Sequence, residues 1–424
     1  MRYLFSHKLI DSLIVMLLVF SSGGLLFVFN RNIMYAFFFL LLLAAFIFTG
    51  KRIKRRIFNT SFLTLIIVIA LFGINYLFAD STQSANKYLY YLMVIITSGL
   101  TLVHFYNNRS KDIFVYRLHF ILKLIVIHAF IQAFAYLFVS GALKTIIHAE
   151  YECDTFNYIF YFAFLEEKKH AFFSLFGLDI IRNQGLFWEA GVAQVFFNIF
   201  FFLEAHIIKR SRLLLVLAAF TILTTYSTAG ITILLLQIIY YVIVELRKNI
   251  LVIPIILIAA IPIYNIFTEN VEAKFSGEQE ASFQKRFFDM VQPFFIALEN
   301  PVTGIGLDLY KFQEYRYNFI LSSKTFENLQ EQTGVELKMS GTDQGSSNSF
   351  MFLLAAMGFP TGLFFIYMLL KQQIIPKRNK MLIAIIFLSL ISSPLLLRPF
   401  FFIFILSGIM HIINTMQNQK RQIL

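Results

Sequence analysis

The chain has 424 residues and 49.3 kDa; it is 58% hydrophobic but only 14% charged, contains 53 Phe, and has a mean hydropathy of +0.72. Soluble domains carry about a quarter charged residues and under half apolar ones, so these values exclude a soluble globular enzyme. The formal net charge of +12 comes from basic residues set between apolar runs, which is a positive-inside arrangement and not a nucleic-acid surface.

A spanning helix needs roughly 20 apolar residues. About twelve such runs follow one another near 9–29, 33–50, 60–79, 88–106, 114–140, 185–206, 213–228, 230–246, 250–267, 347–370, 381–397 and 399–416. Backbone groups in hydrocarbon must be satisfied within the chain, so the expected fold is all-α: a polytopic integral membrane protein of about 12 transmembrane helices. The first run lacks a small-residue cleavage site and another follows at once, so it is expected to stay in the chain. A single Cys153 cannot form an intrachain disulfide, and no Cys/His cluster has zinc spacing.

Alternate loops carry very different numbers of Lys and Arg. The set comprising 1–8, 51–56, 107–117, 207–212, 247–248, 371–380 and 417–424 holds 21, whereas the short loops of the other set hold only Arg31, Lys87 and Arg398. That bias predicts cytoplasmic termini. It leaves two long loops, 141–184 and 268–346, on the periplasmic or extracellular face of one membrane domain spanning 1–424. The second loop has 12 Asp or Glu against 7 Lys or Arg, the sign of a translocated segment. It is far longer than a plain connector, and Phe283–Leu298 within it has the spacing of an amphipathic helix at the membrane surface. No internal repeat is seen, and Lys123 and Glu204 are the main mid-span charges, which argues against an exporter built on inverted repeats.

Five groups of residues near the outer ends of the runs carry candidate chemistry. Arg182-Asn-Gln-Gly185-Leu-Phe-Trp188-Glu189-Ala-Gly191 puts a base and an acid seven residues apart, on one face if the helix begins early enough. An acid inside a span is expensive and points to function, while a carboxylate at a helix start also meets the dipole. Thr224-Thr225-Tyr226-Ser227-Thr228-Ala229-Gly230 offers hydroxyls to a sugar or phosphate, or small residues to close helix packing. Arg286 lies on the amphipathic helix, which the turn Asn300-Pro301-Val-Thr-Gly304-Ile-Gly306 closes. Gly345-Ser346-Ser347-Asn348-Ser349-Phe350 precedes a run interrupted by Gly358, Pro360 and Gly362, and reads also as a helix cap. Arg398 stands at a helix end near Pro394 and Pro399, where an arginine also snorkels. Arg182, Arg286 and Arg398 thus come from distant parts of the chain to one expected side. Arginine binds phosphoryl oxygens bidentately and stays charged, so an anionic substrate is expected there.

In this order and spacing, Arg182–Gly191, Ser227–Gly230, Arg286 with Asn300–Gly306, and Ser347–Phe350 leading to Gly358 resemble the Wzy-type O-antigen polymerase and O-antigen ligase superfamily over roughly 182–370. The resemblance implies a glycosyltransferase fold of the C type and substrates carried on undecaprenyl pyrophosphate in the bacterial inner membrane. It implies a polymerase in which a hydroxyl of one lipid-linked repeat unit attacks the anomeric carbon of the growing chain. Partners implied are the lipid-linked oligosaccharide, membrane lipid, and a chain-length regulator and flippase of the same pathway, with no nucleic acid.

Two departures matter: Ala190 stands where the family often has Pro, and Ser347 stands where ligases show a His before the Asn. The stretch 268–346 contains no His at all, which favours a polymerase over a ligase that joins finished polymer to a lipid A-core. Arg182 and Arg286 are expected to stabilise the departing pyrophosphate, with Arg398, Ser227 and Asn348 as further substrate contacts. Glu189 is expected to accept the proton of the attacking hydroxyl or to orient Arg182. No DxD-type metal motif is present, so no metal or other cofactor is expected. Tyr310, Tyr315 and Tyr317 suit stacking on sugar faces, as they suit a membrane interface.

Overall fold

A backbone amide in hydrocarbon finds its partner most cheaply four residues away, and the apolar runs among the described residues are helices. The computed structural model describes residues 2–49, 52–108, 111–148, 151–166, 169–170, 172–175, 178–209, 211–245, 268, 280–322 and 346–423. The run near 250–267 lies outside the described residues. In chain order the helices are α1 (Arg2–Phe20), α2 (Leu25–Phe29), α3 (Arg31–Thr49), α4 (Arg55–Phe78), α5 (Ala85–Asn108), α6 (Lys111–Val139), α7 (Ala190–Phe202), α8 (Arg212–Thr224) and α9 (Thr228–Glu245). After them come α10 (Glu280–Glu299), α11 (Leu309–Ser322), α12 (Ser349–Leu370), α13 (Asn379–Ser392) and α14 (Pro399–Ile423). Among the described residues, α3, α4, α5, α6, α7 with its extension, α12 and α14 are the seven long and apolar enough to cross a membrane; α8, α9 and α13 are apolar but shorter. The architecture is that of an all-α polytopic membrane protein.

Three apolar runs end differently from their sequence pattern. The first is broken at Gly23 and Gly24, where the chain leaves α1 and restarts as α2. The run expected from 185 becomes helical only at Ala190, because Gly185–Trp188 is held by another segment: the Leu25 amide donates to Leu186 O at 3.0 Å and the Trp188 amide to Gly23 O at 3.2 Å. The run near 381–397 stops at Ser392, ahead of Pro394.

After one short 3-10 turn, Ser140–Ala142, the described residues of 144–181 are mostly strand. Strands β1 (Lys144–His148), β2 (Tyr151–Phe156), β3 (Phe160–Glu166) and β4 (Lys169–His170) form an antiparallel sheet in sequential order, and β5 (Phe172–Leu175) pairs with β6 (Leu178–Ile181). Asn157 and Tyr158, both at positive φ, are the central residues of the tight β2–β3 turn, which the Ile159 amide closes by donating to Phe156 O at 2.9 Å. Cys153 and Thr155 point to the buried side of β2.

By contacts the chain divides into two compact units. The first comprises Met1–Leu41, Ser110–Ala273 and Ile375–Ser389; the second comprises Leu42–Arg109, Lys274–Ile374 and Leu390–Leu424. In the first, α6 packs on α1, α7 and α8, and α9 lies on α7. Contact between α7 and α9 is close because Gly230 has no side chain: a Cβ there would come within 2.9 Å of Gln194. A buried amide chain crosses this contact, with Gln237 Nε2 donating to Asn198 Oδ1 at 2.8 Å and Asn198 Nδ2 to Gly230 O at 3.2 Å.

In the second unit α10 packs along α12, α12 packs on α14, and α14 lies against α4 and α5, which pack on each other. Helix α12 is broken at its middle: Gly358 takes φ +73, and Pro360 has no N–H to give to Ala356. The Phe359 amide turns instead to Pro301 O at 2.8 Å, and the carbonyls of Ala355 and Ala356 accept from the Ile305 and Gly306 amides, each at 2.9 Å. Asn75 Nδ2 donates to Ala356 O at 2.8 Å and to Thr303 O at 2.6 Å. The Asn300–Gly306 turn therefore closes the break. Gly358→Ala would place a Cβ 2.2 Å from Val302 O at a φ that alanine resists, and is expected to cost about 2 kcal/mol or more. Thr303→Ala, which removes one hydroxyl bond to Phe78 O, is expected to cost about 1 kcal/mol; thermal unfolding in detergent compares the two.

Candidate functional site

Arg182 follows β6 directly and precedes the late start of α7, so it shares no helix face with Glu189. Its Nε donates to the Thr225 carbonyl at 3.1 Å. Next to it the Asn183 amide donates to Thr224 O at 2.9 Å, and Asn183 Nδ2 reaches Thr224 Oγ1 at 3.1 Å and Ala129 O of α6 at 2.7 Å. The first two sequence motifs, Arg182–Gly191 and Thr224–Gly230, thus meet in the first unit. Half-buried Arg182 is held at a helix C-terminus, where carbonyls favour a cation.

Glu189 is exposed at the N-cap of α7 and its side chain makes no capping bond to the helix. Its Oε1 leans over Gly191, 3.3 Å from where a Cβ would stand. The strand β2 comes near from another direction. Burial, then Cys153, then the charge of Glu189 push the Tyr151 phenol well above the ordinary tyrosine range, so the O–H stays protonated. Gln184 Nε2 donates to the Tyr151 oxygen at 2.9 Å. Ser227 is buried and serves as a cap, its Oγ accepting from the Gly230 amide at 3.4 Å. The hydroxyls of Thr224 and Thr225 donate to carbonyls within α8. This turn accordingly acts in helix packing and capping.

In the second unit the remaining motifs gather around a residue that sequence reasoning missed. Asp289 is fully buried on α10, one turn after half-buried Arg286. Its Oδ1 lies 3.1 Å from Arg316 Nη1 of α11, its Oδ2 accepts from the Ser347 amide at 2.9 Å, and its carbonyl accepts from Ser346 Oγ at 2.6 Å. Arg316 Nε donates to Gln292 Oε1 at 2.8 Å. Burial pulls the Arg316 guanidinium down from its usual range and the Asp289 charge acts against that pull. Spacing pointed to this pair only in part: Asp289 sits three residues after Arg286 on the same helical face, but Arg316 belongs to another helix.

Asn348 is buried and caps α12 through its Oδ1, which accepts from the Phe350 and Met351 amides at 3.1 and 3.2 Å. Ser349 Oγ donates to Ser393 O at 2.6 Å and accepts from the Leu395 amide at 2.9 Å, tying this motif to the segment that presents Arg398. Arg398 Nη1 donates to the Tyr90 hydroxyl at 2.5 Å. The structure therefore brings Arg286, Asn348 and Arg398 into one connected framework. Tyr310 and Tyr317 are exposed on α11, while Tyr315 donates to Asp80.

Removing one partner of a buried ion pair leaves the other uncompensated. Asp289→Ala is expected to destabilise the protein by about 3 kcal/mol, whereas the double variant Asp289→Ala/Arg316→Met should recover most of that loss. Thermal unfolding of both variants in detergent tests this coupling.

No curated protein matches the chain. Residues 213–366 match a family model described as O-antigen ligase (Wzy_C). The matched part contains Ser227, Arg286, Asp289, Arg316, Asn348 and the break at Gly358, while Arg182, Glu189 and Arg398 fall outside it. The match covers about a third of the chain, and over that part the chain is similar to the O-antigen ligase family; the apolar helices are those of an integral membrane protein.

Proposed function

We propose that the protein is a surface-polysaccharide polymerase that joins undecaprenyl-pyrophosphate-linked repeat units at the periplasmic face of the inner membrane. The observation that carries the choice of polymerase is the position before Asn348. It holds Ser347, whose amide is bound by Asp289, where a ligase would present histidine. The family model's description favours the ligase as the second reading.

In the proposed reaction a hydroxyl oxygen of the acceptor unit forms a bond to the anomeric carbon of the growing chain, and the bond from that carbon to the pyrophosphate oxygen breaks. The acceptor's proton passes to Glu189, whose carboxylate is exposed and not used in capping. Undecaprenyl pyrophosphate leaves as an anion. Arginines that bind it more tightly as its charge develops lower the barrier, and those proposed for this role are Arg182 in the first unit and Arg286 and Arg398 in the second. Each of these cations is at least partly buried, where a charge contact counts for more than in water. The reading includes twelve crossings, cytoplasmic termini, and action beside a flippase and a chain-length regulator.

Surface polysaccharide resolved on a gel tests the reading in a deletion strain complemented at matched expression. Wild type should restore a ladder over a core-plus-one-unit background, and Arg286→Ala, Arg182→Ala and Glu189→Gln should each reduce the ladder at least about 100-fold. Full-length lipid-linked polymer accumulating in the deletion strain would favour the ligase, and an unchanged ladder would exclude both.

A further inference from the structure

The first unit contains a cavity unrelated to the residues above. It has a volume of about 680 Å3 and is lined by one stripe of α6, namely Ile113, Tyr116, Arg117, Phe120 and Lys123 with His119 behind them, and by Ser211, Leu213 and Leu214 at the start of α8. Positions 113, 116, 117, 120 and 123 recur at helical spacing, so they form a single face. By the distribution of basic loops this is the end opposite to the proposed chemistry.

The wall is built around a buried carboxylate. After Phe202, α7 widens into a π-helical turn, Leu203–Ile208, which ends on Lys209 in the left-handed conformation. Glu204 in that turn is 1% exposed. Its Oε2 accepts from His119 Nε2 at 2.6 Å and its Oε1 from the Ser211 amide at 2.6 Å. A π-helical turn gives up regular α-helical hydrogen bonding and recurs at functional positions. Here it lets one carboxylate clamp α6 to the start of α8 and so fix the cavity's shape.

Glu204 is thus occupied within the wall, and it does not neutralise the two basic residues of the lining. Arg117 and Lys123 are both half-buried on a candidate membrane span. Arg117 Nε is buried with no hydrogen-bond partner among the described residues. An unpartnered guanidinium nitrogen in a partly desolvated position is costly, and an anion at the outer nitrogens of the same guanidinium, which lines the cavity, would offset part of that cost. Lys209 and Arg212, each within two residues of Ser211 of the lining, add positive charge, against a single exposed Asp112. The rest of the lining is apolar and continues onto exposed Leu124 and Val216, a surface suited to hydrocarbon chains and not to water.

We propose that this cavity binds the phosphate head group of an anionic membrane lipid, with Arg117 and Lys123 contacting the phosphate and Tyr116, Phe120 and Leu213 packing against the chains. Cations at this depth attract anionic lipid at the cytoplasmic leaflet, and free inorganic phosphate would gain nothing from the apolar wall.

The test uses the full chain in nanodiscs of phosphatidylcholine with graded phosphatidylglycerol, and needs no turnover. Native mass spectrometry of protein released from the discs should show retained phosphatidylglycerol, falling about tenfold in Arg117→Gln/Lys123→Gln. A photoreactive side chain at Leu213 in the otherwise unaltered chain should crosslink phosphatidylglycerol about tenfold more than the same group at Leu236, an exposed position on α9. Equal retention in wild type and the double variant, or equal crosslinking at the two positions, would overturn the proposal. So would displacement of the lipid by millimolar inorganic phosphate, which would make this a simple anion site.

Discussion

A polar group withdrawn from water has to find its partner inside the protein, and most of the distinctive features of this chain are answers to that demand. Helix α12 breaks in mid-course, and the carbonyls it frees are taken by the Asn300–Gly306 turn and by Asn75. That turn closes α10, the helix bearing Arg286. The break therefore does more than bend a helix: it fixes the amphipathic segment to the bundle through main-chain bonds that do not depend on exposed side chains.

Charge obeys the same demand. The Asp289 carboxylate lies between Arg316 and the Ser347 amide, and its main-chain carbonyl accepts from the Ser346 hydroxyl, so the serine-asparagine motif and the amphipathic helix are positioned by one residue. Ser349 extends the framework to the segment before Arg398. In the first unit, carbonyls at the end of α8 hold Arg182, and the hydroxyl-rich turn that follows caps and packs α9. A catalyst of pyrophosphate departure needs cations whose positions are set before the substrate arrives, and each unit supplies such supports.

Much of the fold was legible because its signals are local. Apolar length marked the spans, and the spacing of Phe283–Leu298 marked the amphipathic helix, which the structure extends to Glu280–Glu299. Asn348 was legible as a helix cap, from a short polar side chain placed before an apolar run. The hairpins of 141–184 carried a readable signal in their alternating aromatic and β-branched residues and in Asn157, though an apolar membrane context masks that period. What local pattern did not hold was long-range pairing. The late start of α7 depends on Gly23 and Leu25, some 160 residues earlier, and this is why Arg182 and Glu189 do not share a helix face. The same holds for Asp289 and Arg316, whose partnership lies between helices.

The central claim is tested most directly by purified protein reconstituted in liposomes with one synthetic undecaprenyl-pyrophosphate-linked repeat unit and no other substrate. Products of two or more units, with one undecaprenyl pyrophosphate released per bond formed, are the predicted result. Failure to lengthen the repeat unit, with transfer occurring only when lipid A-core is supplied, would contradict it.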